Sequence, residues 1–237
     1  MTNPHFTPKM HTKALDTPTN EFERFVYIVS HDLNEPLRMM TSFMDLIDKK
    51  HGDSLPEEAQ TYIRYCKENA DKMKLMMRAL VDYSRVGRTT EEITEIVLGD
   101  LMEDLFDMFS ADLKLSNASV DYKNLPNAHA QPSLIIDLFK ILFQNAFENK
   151  RSDHLHIKIT SQTEGDYHEF CVEDNGKGIK SVYLDSVCEI FRKADKNTPN
   201  IGAGLAVAKA IVEKFGGQLR IDSIENKGTK VHFTLPT

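Results

Sequence analysis

The sequence predicts an α+β chain in two parts, an antiparallel helical hairpin followed by an α/β sandwich. Three observations carry this expectation. Two stretches of roughly thirty residues repeat apolar positions in steps of three and four, the period of a helix face. An interruption at Gly87–Thr90 ends that pattern. Helical and strand signals then alternate to the C-terminus, as in a sheet covered by helices.

In the first stretch, Phe22, Val26, Val29, Leu33, Leu37, Met40, Met44 and Ile47 form one stripe between Glu21 and Lys50. A short polar break follows (His51-Gly52-Asp53-Ser54-Leu55-Pro56), and Pro56, Glu57 and Glu58 suit the first turn of a second helix. That helix runs to about Val86, with Ala59, Ile63, Cys66, Ala70, Met73, Met77 and Leu80 on one face. A hairpin of two such helices cannot bury both faces alone, so a two-fold symmetric pairing into a four-helix bundle is expected. Met39, Met40, Met73, Met76 and Met77 are expected as core filler.

Beyond the linker, Ile93–Leu98 and Ser119–Tyr122 read as strands on either side of an amphipathic helix, Asp100–Leu115. Ser133–Asn149 reads as a helix capped by Ser133, while Leu155–Thr160 and Glu169–Glu173 alternate like half-buried strands. A helix over Leu205–Phe215 stops at Gly216-Gly217. Strands Leu219–Ser223 and Lys230–Leu235, joined by the turn Glu225-Asn226-Lys227-Gly228, complete one sheet with helices on one face. The expected units are a flexible tail over 1–19, the hairpin over 20–88 and the sandwich over 89–237.

Composition bounds the function. The 237 residues are 41% apolar and 27% charged, which describes a globular chain long enough for real cores. A net charge of −7 gives no general attraction for nucleic acid or anionic lipid. No apolar run is long enough to cross a bilayer, and the polar, proline-containing start (Pro4, Pro8, Pro18) has no signal-peptide core. Cys66, Cys171 and Cys188 lack metal spacing and are expected as buried free thiols in a reducing cytoplasm.

Three separated stretches carry chemistry: SHDLNEPLR over Ser30–Arg38, EDNGKGI over Glu173–Ile179, and GAGLAVAKAIVEKFGG over Gly202–Gly217. His31 lies two residues past Val29, off the packing stripe and towards water. A neutral imidazole can attack phosphorus through one ring nitrogen while a carboxylate serves the other. Asp32 is adjacent, although neighbours on a helix point about 100° apart. Glu35 is one turn on and shares the face of His31. Pro36 removes a backbone donor and should loosen or bend the helix there. The turn after Asp174 brings backbone close to whatever the carboxylate reads, and the glycine-rich start of the later helix presents free amides suited to phosphate.

In this order, the three stretches resemble the sensor histidine kinases of two-component signalling, particularly the phytochrome-like branch with its SHDLxEPLR box. The resemblance runs from about Glu21 to Pro236. It implies that His31 accepts a phosphoryl group with Asp32 as base, Glu35 being the alternative. It implies a C-terminal ATP-binding fold of the histidine kinase and gyrase type. There Asp174 would read the adenine amino group beside Gly176 and Gly178, and Asn145 would hold magnesium. Gly202, Gly204 and Leu205 would form the lid and helix start at the phosphates, and Thr229 would place a hydroxyl near adenine. The implied cofactors are ATP and Mg2+. The implied partners are a second copy, through the hairpin, and a response-regulator receiver domain, with neither nucleic acid nor membrane insertion, in the cytoplasm.

Several positions depart from that family's pattern. Ile141 replaces an asparagine, Glu148 a phosphate-contacting lysine and Asn149 a base-stacking aromatic. Ala194 replaces the second aromatic of a short lid, and Ala206 a further glycine. Lys150, Lys193 or Lys196 could supply the missing charge; one charge-assisted contact is worth about 1.5–3 kcal/mol. Glu35 stands where many relatives carry threonine or asparagine to orient water, so weak phosphatase activity is expected. The polar residues before the first helix are too few for a sensing domain. The leading reading is an ATP-dependent protein-histidine kinase core. The alternative, motivated by Glu148 and Asn149, is a dimeric phosphotransfer or docking module with a decayed nucleotide domain. A plain ATPase would leave SHDLNEPLR unexplained.

Overall fold

A computed structural model describes residues 18–151, 153–193 and 200–237, with side chains from residue 24 onward. The expected tail up to residue 17, and the lid positions Ala194 and Lys196, lie outside the described residues. The hairpin consists of α1 (Pro18–His51), a 3-10 turn (Gly52–Ser54) and α2 (Glu57–Arg88). Helix α1 runs unbroken through Pro36. At the tip, the Gln60 side-chain amide donates to the carbonyls of Gly52 (2.9 Å) and Leu55 (3.1 Å), closing the turn. Lys67 bridges to Asp45 (2.8 Å) and Asp48 (3.3 Å), and Lys74 donates to Thr41 (2.9 Å).

The apolar residues of α1 form two stripes, where the sequence suggested one. Val26 and Leu37 are buried, and Leu37 packs with Ala70 and Met77 of α2. Leu33, Met40 and Ile47 instead lie exposed beside Phe25, Ile28, Phe43 and Leu46. One helix can turn only one stripe towards its neighbour, so the second remains open. The methionines divide for the same reason: Met77 is buried, whereas Met39, Met40 and Met73 are exposed. Cys66 is also exposed on α2, contrary to the expected burial, and Cys171 and Cys188 are half-buried.

The second unit opens with β1 (Thr94–Ile96), α3 (Leu98–Met108) and α4 (Ser110–Leu115). The expected single helix breaks at Phe109. Then come β2 (Ser119–Tyr122), β3 (Ala128–Ala130), α5 (Pro132–Glu148), β4 (His156–Glu164) and β5 (Tyr167–Asp174). The chain closes with α6 (Ser181–Leu184), α7 (Gly204–Lys214), β6 (Leu219–Ile224) and β7 (Gly228–Pro236). A five-stranded sheet has the order β2-β4-β5-β7-β6, with only the β2–β4 pair parallel. A separate two-stranded ladder joins β1 to β3. Alternate sheet residues (Ile157, Ile159, Phe170, Val231, Phe233, Leu235) enter one core with Leu138, Phe139 and Phe143 of α5 and Ile211 and Val212 of α7. Glu169, Glu173 and Lys230 occupy the other face; Lys230 pairs with Glu173 at 3.1 Å.

The join between the units is built of specific polar contacts. Helix α2 continues through Gly87, so the break begins at Thr89. Lys214 of α7 donates to the carbonyls of Val86 (2.7 Å) and Thr89 (3.1 Å), capping the end of α2 with a cation where the helix dipole is negative. Arg85 pairs with Asp137 of α5. Buried Gln131 donates to Thr89 (3.1 Å) and Glu91 (2.5 Å). Ser133 does not cap α5: its amide (3.1 Å) and hydroxyl (2.6 Å) donate to the carboxylate of Glu91, which caps the helix from the linker. Glu91→Ala should therefore lower stability by about 1 kcal/mol and speed proteolysis near Thr89, read by urea unfolding and limited digestion.

Candidate functional site

His31 stands out from the hairpin with 77% of its side chain exposed. Its Nδ1 lies 3.1 Å from Oδ1 of Asp32, and its Nε2 has no partner among the described residues. The adjacent acid thus reaches the ring despite the angular offset between neighbours. Glu35 points elsewhere: Arg38 donates to both of its oxygens, at 2.7 and 3.0 Å. Those bonds hold the Glu35 carboxyl below its usual range. A shallow cleft between α1 and α2 borders His31.

A larger cavity of about 670 Å³ lies in the second unit, between α5, the ends of β5 and β7, and the start of α7. Asn145, Asp174, Gly178, Gly202, Gly204, Leu205 and Thr229 all line it. Gly176 sits just behind, its amide donating to Oδ1 of Asp174 at 2.8 Å. The register of β5 against β7 sets Asp174 opposite Thr229, whose hydroxyl meets that of Ser223 at 3.0 Å. Two glycines are dictated by crowding. Gly178 has φ +65, and a Cβ there would fall 2.1 Å from the Ile224 carbonyl. Gly202 has φ +70, with the Arg192 carbonyl equally close at 2.1 Å.

Asp174 is the electrostatic centre of this cavity. Burial pushes its carboxyl up to about 6, against the opposing pull of hydrogen bonds from the Gly176 and Thr229 amides. A desolvated acceptor at a cavity floor suits a ligand that brings its own N–H donors. Asn145 adds a second signal: its Nδ2 is buried without a partner. Its side-chain oxygen is a hard ligand of the kind magnesium prefers. Among the described residues, however, no group of three or more His, Cys, Asp or Glu could hold a metal.

The departures from the family pattern have local explanations. Glu148 accepts a hydrogen bond from Asn200 (2.7 Å) at the cavity rim. The Asn149 side-chain amide donates to the Asn145 carbonyl (2.8 Å) and so caps the end of α5. Ile141 forms wall beside Gly204, and Ala206 is buried in the core. Of the three candidate replacement cations, Lys193 lines the cavity, Lys150 does not, and Lys196 lies outside the described residues. Lys177, Lys180, Arg192 and the aromatic Tyr183 also line it, unnoticed in the sequence. The run Lys177-Gly178-Ile179-Lys180 directly after the Asp174 turn was the available signal for the two lysines. The cavity and the His31 cleft share no lining residue.

Comparison with known proteins finds matches to both units. Residues 130–237 match the family described as histidine kinase-, DNA gyrase B- and HSP90-like ATPase. Residues 23–89 match the His Kinase A (phospho-acceptor) domain. The chain is 24% identical to phytochrome-like protein Cph1 of Synechocystis over 94% of its own length and 30% of that protein's. It is 29% identical to the methanogenesis regulatory histidine kinase FilI of Methanothrix harundinacea, over 92% of this chain and 25% of FilI. The chain therefore spans between a quarter and a third of these relatives. Among solved structures, full-length ShkA in complex with AMPPNP superposes with TM-score 0.65 at 17% identity, over 90% of this chain and 46% of ShkA. ThkA in complex with the response regulator TrrA gives TM-score 0.58 at 22% identity, over 90% and 61%. At these identities the superpositions show the fold.

The desolvated carboxylate has a stability consequence. Its folded value, about 6, lies above the unfolded one, so between roughly pH 4 and 6 the native state binds a proton that the unfolded state does not. This contribution raises stability as pH falls from 6 to 4 and leaves a penalty in full above 6. Asp174→Asn should remove a penalty on the order of 2–3 kcal/mol at pH 7.5. Urea unfolding should show the variant more stable at pH 7.5, with the difference shrinking towards pH 4.

Proposed function

We propose that this chain, which belongs to the sensor histidine kinases, is a protein-histidine kinase core. It moves the γ-phosphoryl of ATP to His31 and then to an aspartate of a response-regulator receiver domain. The observation that carries the reading is an exposed imidazole whose Nδ1 is held by Asp32 while Nε2 is open, in a chain that also holds the Asp174 cavity.

In the transfer, the lone pair of Nε2 forms the bond to phosphorus. ADP leaves with the electron pair of the broken phosphorus–oxygen bond. Asp32 fixes the ring tautomer with the proton on Nδ1 and stabilises the positive charge that develops there. Glu35, already tied to Arg38, is the weaker candidate for base. In the cavity, Asp174 accepts from the adenine amino group, and Gly176 and Gly178 let backbone approach the base. Thr229 adds its hydroxyl, while Gly202, Gly204 and Leu205 bring the amides of the α7 start to the phosphates. Magnesium at Asn145 would offset charge on the phosphates. Lys177, Lys180, Arg192 and Lys193 supply positive charge around the cavity and offset Glu148.

The open stripe of α1, with Leu33, Met40, Phe43 and Ile47, supports pairing of two hairpins over residues 20–88 into a four-helix bundle. The nucleotide unit then corresponds to 89–237. ShkA with AMPPNP and ThkA with its response regulator support the nucleotide and receiver assignments by analogy. A cytoplasmic location suits ATP and three free cysteines. No described helix is long and apolar enough to cross a membrane.

Glu148 and Asn149 favour the second reading, a docking module without nucleotide turnover. Incubation with magnesium and γ-labelled ATP separates the two. Acid-labile label should appear and vanish in His31→Gln, while Glu148→Lys should tighten nucleotide about ten-fold or more, the worth of one charge-assisted contact. Absence of His31-dependent label would favour the docking module.

A further inference from the structure

The cleft beside His31, about 350 Å³ between α1 and α2, is lined by Ser30, Asn34, Arg78, Val81 and Asp82, with Tyr27 and Met77. Its surroundings are rich in negative charge. Asp32 is bonded to the ring, Glu35 stands one turn away, and Asp82 faces in from α2. A phosphoryl dianion placed on Nε2 would meet like charge from three carboxylates unless a cation faces it.

The neighbouring cations are nearly all committed. Arg38 is bound to both oxygens of Glu35, Arg85 pairs with Asp137, and Arg88 lies over the Tyr27 ring at 5.5 Å from its centre. Arg78 differs. It lines the same cleft as His31, and among the described residues it has no hydrogen bond or ion pair; Asp82 feels it only through longer-range attraction. A guanidinium is a planar fork matched to two phosphate oxygens.

We propose that Arg78 is the phosphoryl anchor of His31, donating to the oxygens of the group on Nε2, with the Asn34 amide beside it in the cleft. The inference rests on His31 being the phosphoacceptor, but not on the nucleotide cavity. It assigns α2 a part in the site: α1 supplies the nucleophile and its base, and α2 supplies the cation that receives the product. The unphosphorylated protein leaves that cation unpaired because its partner arrives with the phosphoryl group.

Potassium phosphoramidate tests this without ATP, since the phosphorus–nitrogen bond of the reagent breaks and ammonia leaves as the bond to Nε2 forms. The full chain, Arg78→Gln, Arg78→Lys and the remote control Arg64→Gln would each be labelled and followed by phosphorus NMR. Arg78→Gln should slow labelling of His31 about ten-fold and raise the protonation midpoint of the bound phosphoryl by about half a unit or more. Arg78→Lys should recover part of both effects, and Arg64→Gln should match the parent chain. Equal rates and midpoints in Arg78→Gln and the parent would overturn the proposal, as would failure of the parent to label at His31. Labelling by phosphoramidate but not by ATP would sink the kinase reading and leave the role of Arg78 standing.

Discussion

A carboxylate largely withdrawn from water at the floor of a cavity is the constraint around which the second unit is built. Asp174 ends β5, and burial works against its charge while two backbone amides work for it. To supply those amides, the chain must turn sharply at Gly176 and keep β7 in register opposite. Backbone crowding nearby forbids side chains at Gly178, against the Ile224 carbonyl, and at Gly228, against the Asp174 backbone carbonyl. The native state carries the penalty of a half-satisfied acid, and such a penalty persists only where surrounding structure fixes it.

The first unit meets a different constraint. Its hairpin has more apolar surface than one seam can cover, and His31 lies outside both stripes, next to water. His31 and the cavity belong to separate elements with no common wall. Under the proposed kinase reading, transfer between them would require the units to approach, within one subunit or across a pair. Lys214, Arg85, Gln131 and Glu91 hold the join at Thr89, so these contacts bear on how readily that approach occurs.

Much of this was legible in the sequence. Periodicity located both long helices and most strands, because burial repeats every two or every three to four residues in ways a linear pattern records. The sequence motifs placed Asn145, Asp174, Gly178, Gly202, Gly204, Leu205 and Thr229 around one cavity. What was missed is tertiary. The split of the α1 stripe depends on where α2 lies. The strand β3 is only three residues long and exists because β1 pairs with it. Ser133 looked like a cap, yet Glu91, 42 residues earlier, caps the helix. Glu148 lines the cavity as expected, but its partner Asn200, 52 residues later, was not foreseen. Each miss turns on a partner distant in sequence, which local pattern does not encode.

Calorimetric titration of the full chain with magnesium and ATP, at pH 7.5 and again at pH 5, tests the central claim most directly. If the ionised Asp174 receives the adenine amino group, nucleotide binds at pH 7.5 and weakens about ten-fold at pH 5, one unit below a carboxyl value of about 6. No binding at pH 7.5, or equal affinity at the two values, would contradict it.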